Sequence, residues 1–316
     1  MAKFKIRHTT KYSYETTVRD SANRVMLYPI NDSLQTILHH SVSITGNPLV
    51  DIYTDSFGNQ VGTFTHARPH QELMIDSRLL VETFPPKDPD DSMPQEPQWA
   101  ELSTLKNKLE FIDFLRQERF EALPEVQAII EMERCKHCTP LETAKHFSDY
   151  IYTQFAYKKG ITTVETTIDE VWKLRSGVCQ DFAHILLVML RLMNIPARYV
   201  SGYVCPKQNG MRGEGATHAW VEAYIPFYGW LGLDPTNNSI ANDAHVRLAV
   251  GKNFSDCSPV KGTYRGTSNH TLDVLVSVAY EDGMMTDGEH EITRPEVKSS
   301  VVNNSFRRHQ EMQMQQ

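Results

Sequence analysis

Arg175-Ser176-Gly177-Val178-Cys179-Gln180-Asp181-Phe182-Ala183-His184 decides how this chain is read. Gly177 can take the left-handed conformation that ends a helix, and an apolar-periodic stretch begins at Cys179 itself. Phe182, Ala183, Leu186, Leu187, Leu190 and Met193 recur at helical spacing until Asn194-Ile195-Pro196 stops them. The pattern predicts a deeply buried helix that starts on a thiol. Such a helix end carries a positive partial charge and unpaired N–H groups, which favour a thiolate. Free cysteine is most often an inert buried residue, so the thiol acquires meaning only from its surroundings.

Working outward, Ala197 to Val204 reads as a strand, and a glycine-rich loop from Asn209 to Gly215 leads to His218. His218, Trp220, Glu222 and Tyr224 alternate with Ala219, Val221, Ala223 and Ile225, and a return strand holds Trp230, Gly232 and Asp234 on one face. A tight turn at Pro226-Phe227 would pair Tyr224 with Tyr228. The count then sets Glu222 opposite Trp230, Trp220 opposite Gly232, and His218 opposite Asp234. Opposed residues on one face lie within side-chain reach, so a nucleophile, a base and an orienting carboxylate are brought within range of each other. Singly, a strand histidine or an aspartate before Pro235 is ordinary.

Upstream of the cysteine, helix-start signatures dominate. Thr139-Pro140-Leu141-Glu142 places Thr at N-cap, Pro at N1 and Glu at N3, and Thr167 with Glu170 repeats the capping box. Leu102, Leu105, Leu109 and Ile112 step by three and four, predicting an earlier helix. A proline- and acid-rich linker, 86–100, separates these from a first domain, 1–85. There Phe4, Ile6, His8, Thr10, Tyr12 and Tyr14 alternate with polar residues, and Asp55-Ser56-Phe57-Gly58-Asn59 carries turn chemistry. Leu272 to Val278 reads as a closing strand of a domain spanning 101–282, and 283–316 as a flexible tail. The fold class expected is α+β.

A net charge of -7 argues against nucleic-acid binding. No apolar run approaches the roughly 20 residues of a bilayer span, and the N-terminus has no signal-peptide h-region; the protein is expected to be cytoplasmic. Five cysteines, an odd number, are read as reduced thiols. Cys135 and Cys138 have a metal-like spacing, with His146 nearby, but lack a second paired half, so a helix-end loop with free thiols is expected. His39, His40, His66 and His70 are expected at the surface.

The segments Trp172 with Gly177 to Ala183, Ile195 to Tyr203, His218-Ala219-Trp220-Val221-Glu222, and Gly229 to Thr236 together resemble transglutaminase-like cysteine enzymes. His8 to Tyr14 and Asp55 to Asn59 are similar to the β-rich N-terminal region of bacterial members, and Asn253 to Gly262 resembles a further segment beyond the site. The resemblance implies a papain-like core in which Cys179 is the nucleophile, His218 the base and Asp234 its orienter. Gly251-Lys252-Asn253 departs from the Gly-Arg-Asp the family pattern suggests. Calcium dependence of animal members does not carry over, since no EF-hand-type loop is present; no metal and no cofactor are expected.

Such a set performs acyl transfer on a peptide or protein amide, with the Cys179 N–H as an oxyanion donor. Hydrolysis is favoured over transfer to an amine; a non-catalytic scaffold is the contrasting possibility, against which the intact triad speaks. Trp172, Gln180, Trp220 and Asp256 are candidate supporting or substrate-lining residues, and Trp230 a further lining candidate, although strand aromatics more often pack in cores.

Overall fold

The computed structural model describes residues 1–117, 119–163, 166–205, 211–212 and 217–281, with the backbone of 290–293. The first 85 residues form strands β1 (Ala2–Tyr28), β2 (Gln35–Ile44), β3 (Asp51–Thr54), β4 (Gln60–His66) and β5 (His70–Thr83). Helices α1 (Gln95–Leu105), α2 (Leu109–Leu115), α3 (Leu123–Glu133) and α4 (Pro140–Gln154) follow. Next come β6 (Ala156–Tyr157), α5 (Ile168–Leu174), β7 (Ser176–Gly177) and α6 (Cys179–Leu192). The chain continues through β8 (Ala197–Val204), β9 (Thr217–Ile225), β10 (Gly229–Asp234), β11 (Ser239–Ile240), β12 (His245–Gly251) and α7 (Phe254–Cys257). It closes with β13 (Val260–Arg265), β14 (His270–Tyr280) and β15 (His290–Thr293). This is an α+β fold, with a β-rich N-terminal region leading into a helix-and-sheet core.

Strand β1 organises the first sheet. Its alternating half, Phe4 to Tyr14, buries every residue of the apolar-phase set and lies between β5 and β14. Beyond an irregular stretch it continues to Tyr28, pairing with β4 and β13. The Leu272–Val278 segment is indeed a strand, within β14, but its antiparallel partner is β1 of this first sheet. Strand β15, which falls inside the segment 283–316, adds to the outer side of β14; the remainder of that segment lies outside the described residues.

The second sheet is antiparallel, in the order β11-β10-β9-β8-β12. Helix α6 packs against β9 on one side and α4 on the other. The middle turns of α6 are buried on every face, from Phe182 through Leu190 apart from His184, which burial between two layers requires. The helix ends as its sequence demands: Asn194 takes a positive φ of 59° and Ile195 N–H bonds Leu190 O at 3.0 Å.

Other expectations shift. The helix predicted through Leu102 and Ile112 is two helices, α1 and α2, broken at 106–108. Leu102 and Leu105 are buried, while Leu109 and Ile112 are exposed because α2 turns Phe111 and Phe114 inward instead. Larger aromatic rings win the interior, meeting Tyr224 and Trp230 edge to face. Cys135 and Cys138 are not free thiols but a disulfide, with Cα atoms 5.4 Å apart. The tight turn between α3 and α4 brings their side chains to bridging distance. His66 and His70 are buried, not superficial, their rings 4.3 Å apart. Among the described residues no helix is long and apolar enough to cross a membrane.

Candidate active site

Cys179 is the first residue of α6, as its sequence setting predicts, and is half-buried. The route to it differs from the expectation. The left-handed residue that ends α5 is Arg175, at φ 47°, and Gly177 serves another purpose. A Cβ on Gly177 would lie 2.4 Å from Asp181 Oδ2. That carboxylate accepts from Val178 N–H at 2.8 Å and from the Thr162 hydroxyl at 2.7 Å, closing the first turn of α6 and fixing the approach to the thiol. Burial raises the Asp181 carboxyl from its ordinary value, an effect the two hydrogen bonds oppose.

His218 lies on the central strand β9 and Asp234 at the end of β10; neither is exposed to solvent. His218 Nε2 donates to Asp234 Oδ2 at 2.8 Å. The hairpin that joins them is slipped by two residues from the predicted count. Tyr224 faces Trp230, Glu222 faces Gly232, and Val221 faces Leu233. The turn is centred one residue later than expected, with Phe227 and Gly229 both at positive φ, and residues 226–228 separate the Ile225–Gly229 pair. Because two is an even number, the slip leaves His218 and Asp234 on the same face, and they meet diagonally just past the end of the ladder.

With Nε2 engaged by Asp234, the other ring nitrogen of His218 is left for Cys179. Nδ1 is buried and makes no hydrogen bond of ordinary geometry. Burial by itself would lower the His218 pKa. The charge of Asp234, then that of Cys179, with the hydrogen bond to Asp234, outweigh it and raise the group to about 10. Burial likewise opposes ionisation of Asp234, yet His218 and a second histidine, His245, hold its carboxyl well below the usual range.

The surroundings of Asp234 contain residues the sequence did not single out. Oδ2 also receives Asn237 Nδ2 at 2.7 Å and His245 Nε2 at 3.3 Å, and Oδ1 receives Thr236 N–H at 2.9 Å. Asn237 and Thr236 follow Asp234 closely, so an aspartate-initiated turn was a usable signal. His245 begins β12, on the far side of β8 from His218, and no local pattern points to it. Asn237 also accepts from Arg212 N–H at 2.7 Å, and the Arg212 guanidinium lies 4.5 Å over the Tyr152 ring. Apart from 211–212, the predicted loop from Asn209 to Gly215 lies outside the described residues. Tyr157 is drawn into the site's field: burial first, then the Cys179 charge, raises its phenol.

His218, Asp234 and His245 bring three potential ligand atoms within 4.8 Å of one another. All three donors around Asp234 Oδ2 are hydrogen-bonded to it, so that oxygen is already saturated by N–H groups, an arrangement suited to holding an anion in place.

The supporting candidates divide. Trp220 is buried against both histidines, stacked on His218 at 6.1 Å and edge-on to His245 at 5.1 Å. Gln180 is the second residue of α6 and half-buried. Trp172 is joined elsewhere, to Glu125 through its Nε1 and to Arg175, whose guanidinium lies 3.6 Å from its ring. Trp230 packs against Phe111, Phe114 and Tyr224. Asp256 accepts from Lys252 N–H at 2.9 Å and so closes the turn into α7.

Residues 132–235 match the family model described as the transglutaminase-like superfamily, and 4–82 match the bacterial transglutaminase-like N-terminal region. An uncharacterized protein of Mycobacterium leprae is 32% identical over 287 residues, covering 88% of this chain and 99% of that one. A protein-glutamine gamma-glutamyltransferase of Pseudomonas aeruginosa is 32% identical over 121 residues, 36% of this chain and 18% of that protein. A crystal structure from Cytophaga hutchinsonii, described as "a Putative Cysteine Protease", superposes with a TM-score of 0.70 at 22% identity, covering 90% and 92% of the two chains.

Proposed function

Because the chain belongs to the transglutaminase-like superfamily, with the bacterial N-terminal region, we propose that it is a thiol acyl hydrolase of peptide or protein amides. The observation that carries this is the placement of His218: buried, bonded to Asp234 at 2.8 Å through Nε2, and held in the electrostatic field of the helix-borne Cys179.

The chemistry follows from that placement. The Cys179 sulfur attacks the amide carbonyl, forming a C–S bond while the carbonyl oxygen takes up the electron pair. The N–H groups at the start of α6, which have no carbonyl partner within the helix, stabilise that oxyanion. His218, protonated at Nδ1, gives its proton to the departing nitrogen as the C–N bond breaks. Water then attacks the thioester, His218 takes its proton, and the C–S bond breaks to release the acid and restore the pair. Asp234 keeps the imidazole oriented and its positive charge matched throughout.

Iodoacetamide alkylation across pH, on wild type, Cys179→Ala and His218→Ala, tests the first step. Wild type should react well below the pH of a free thiol, and loss of His218 should return the reaction to about pH 8.5. A Cys179 whose alkylation ignores His218 would overturn the mechanism.

Transfer to an amine is the second reading, favoured by the sequence identity shared with the Pseudomonas aeruginosa glutamyltransferase. A glutamine-containing peptide offered with water and a primary amine in competition separates the two: released acid supports hydrolysis, and amide product supports transfer.

A further inference from the structure

Asp234 serves two histidines, and they are not equivalent. His245 is buried, its Nε2 3.3 Å from Asp234 Oδ2. Its Nδ1 accepts the backbone N–H of Asn242 at 3.1 Å. An Nδ1 that accepts cannot carry a proton, so the hydrogen of His245 sits on Nε2 and points at the carboxylate. His218 has the opposite arrangement. Its Nε2 also donates to Asp234, but its Nδ1 takes no backbone donor, and the charge of Cys179 acts on its ring.

We infer that His245 is a positioning residue for the Cys179–His218–Asp234 set: a neutral donor that pins Asp234 Oδ2 and leaves His218 as the partner that takes the proton. The backbone N–H of Asn242 makes this selective. A second proton on His245 would force two donors against each other, whereas a second proton on His218 meets a thiolate. Asp234 is thus held by a neutral imidazole from β12 while its charge is matched by an imidazolium from β9. The Trp220 ring packs against both, 6.1 Å from His218 and 5.1 Å from His245. Side chains from β9 and β12 therefore converge on one carboxylate oxygen of β10, with Asn237 as its third contact. Without the His245 donor, Asp234 has one constraint fewer on the oxygen that orients His218, and the Cys179–His218 pair is held less well.

This inference rests on the proposed thiolate–imidazolium pair, and one experiment separates the two. Iodoacetamide alkylation of Cys179 is followed from pH 5 to 10 in wild type, His218→Ala, His245→Phe and His245→Gln, with thermal melts confirming folding. Glutamine can present an N–H where His245 Nε2 stands; phenylalanine fills the space without one. His245→Phe should move the rise of the alkylation profile toward higher pH and lower the rate at pH 6 by roughly five- to tenfold, the scale of one hydrogen bond. His245→Gln should recover most of that rate. If His245→Phe matches wild type, or if His245→Gln is impaired as badly as His245→Phe, His245 only fills space and the inference is overturned. If His218→Ala also leaves the profile unchanged, the ion pair itself is absent and the proposed function falls with it.

Discussion

Asn59 grips the peptide group of Val250 from both sides: Val250 N–H donates to its Oδ1 at 2.8 Å, and its Nδ2 donates to Val250 O at 2.7 Å. Gln35 does the same at Arg247, at 2.8 and 2.9 Å. Both belong to the N-terminal region, and both act on β12, the outermost strand of the second sheet. An edge strand exposes unpaired N–H and C=O groups. Here two side-chain amides stand in for a neighbouring strand, and in doing so they fasten the first region to the strand that carries His245.

Replacing Asn59 by leucine should therefore cost more than a surface polar residue would. It strands one buried donor and one buried acceptor, for about 2–4 kcal/mol together. Urea unfolding measures the loss. A change under about 0.5 kcal/mol, the scale of an ordinary surface substitution, would mean that the strand edge does not depend on this amide.

The His218–Asp234 pair should make stability depend on pH in a defined direction. His218 is raised from 6.5 to about 10, so its contribution is complete below 6.5 and disappears as pH climbs through 10. Asp234 is depressed from 3.8, so the same pair is complete above that value and is lost as acid protonates the carboxylate. The pair contributes fully between about pH 4 and 6.5. The difference in urea midpoint between wild type and His218→Gln should be widest at pH 6 and should narrow by pH 10.5. An unchanged difference would show that the fold does not hold His218 protonated.

Much of this was legible from local pattern. The alternation of Phe4 to Tyr14, the capping boxes at Thr139 and Thr167, and the apolar stripe of α6 each follow from a few consecutive residues, and each element stands where its pattern placed it. The shared face of His218 and Asp234 was also legible, because face depends only on parity. Register was not, since Phe227 had to adopt a left-handed conformation that few non-glycine residues favour. Leu109 and Ile112 misled for a similar reason: spacing cannot say that a helix breaks at 106–108 and that Phe111 then competes for the interior. His245 was invisible because its link to Asp234 comes from strand order, in which β12 sits beyond β8.

Gly177 tests the approach to the thiol. Its replacement by alanine keeps an allowed backbone but sets a methyl group 2.4 Å from Asp181 Oδ2. The carboxylate must move, releasing Val178 N–H and the Thr162 hydroxyl. A cost of about 1–3 kcal/mol is expected from the overpacking, with a fall in Cys179 alkylation at pH 6 because the first turn of α6 no longer holds the sulfur toward His218. Unchanged alkylation with lowered stability would assign Gly177 to packing alone.

Gly202 tests the other side of the site. It faces His218 across the β8–β9 ladder, and an added Cβ would lie 2.1 Å from Val246 O and 2.7 Å from the Trp220 ring. Neither can yield cheaply: the first is backbone of β12, next to His245, and the second is fully buried against the two histidines. Gly202→Ala should therefore push β12 away from β8 and displace Trp220 together, weakening both the His245–Asp234 contact and the stacking on His218. The expected cost is about 3 kcal/mol, at the upper end for overpacking, with slower alkylation of Cys179 at pH 6. Gly58→Ala is the matched control for backbone effects, since Gly58 has open space around its Cβ position but a positive φ of 87°. It should lose about 1 kcal/mol of stability and leave Cys179 alkylation as it was. Equal effects of both substitutions on alkylation would mean that the space Gly202 leaves for Trp220 does not matter to the site.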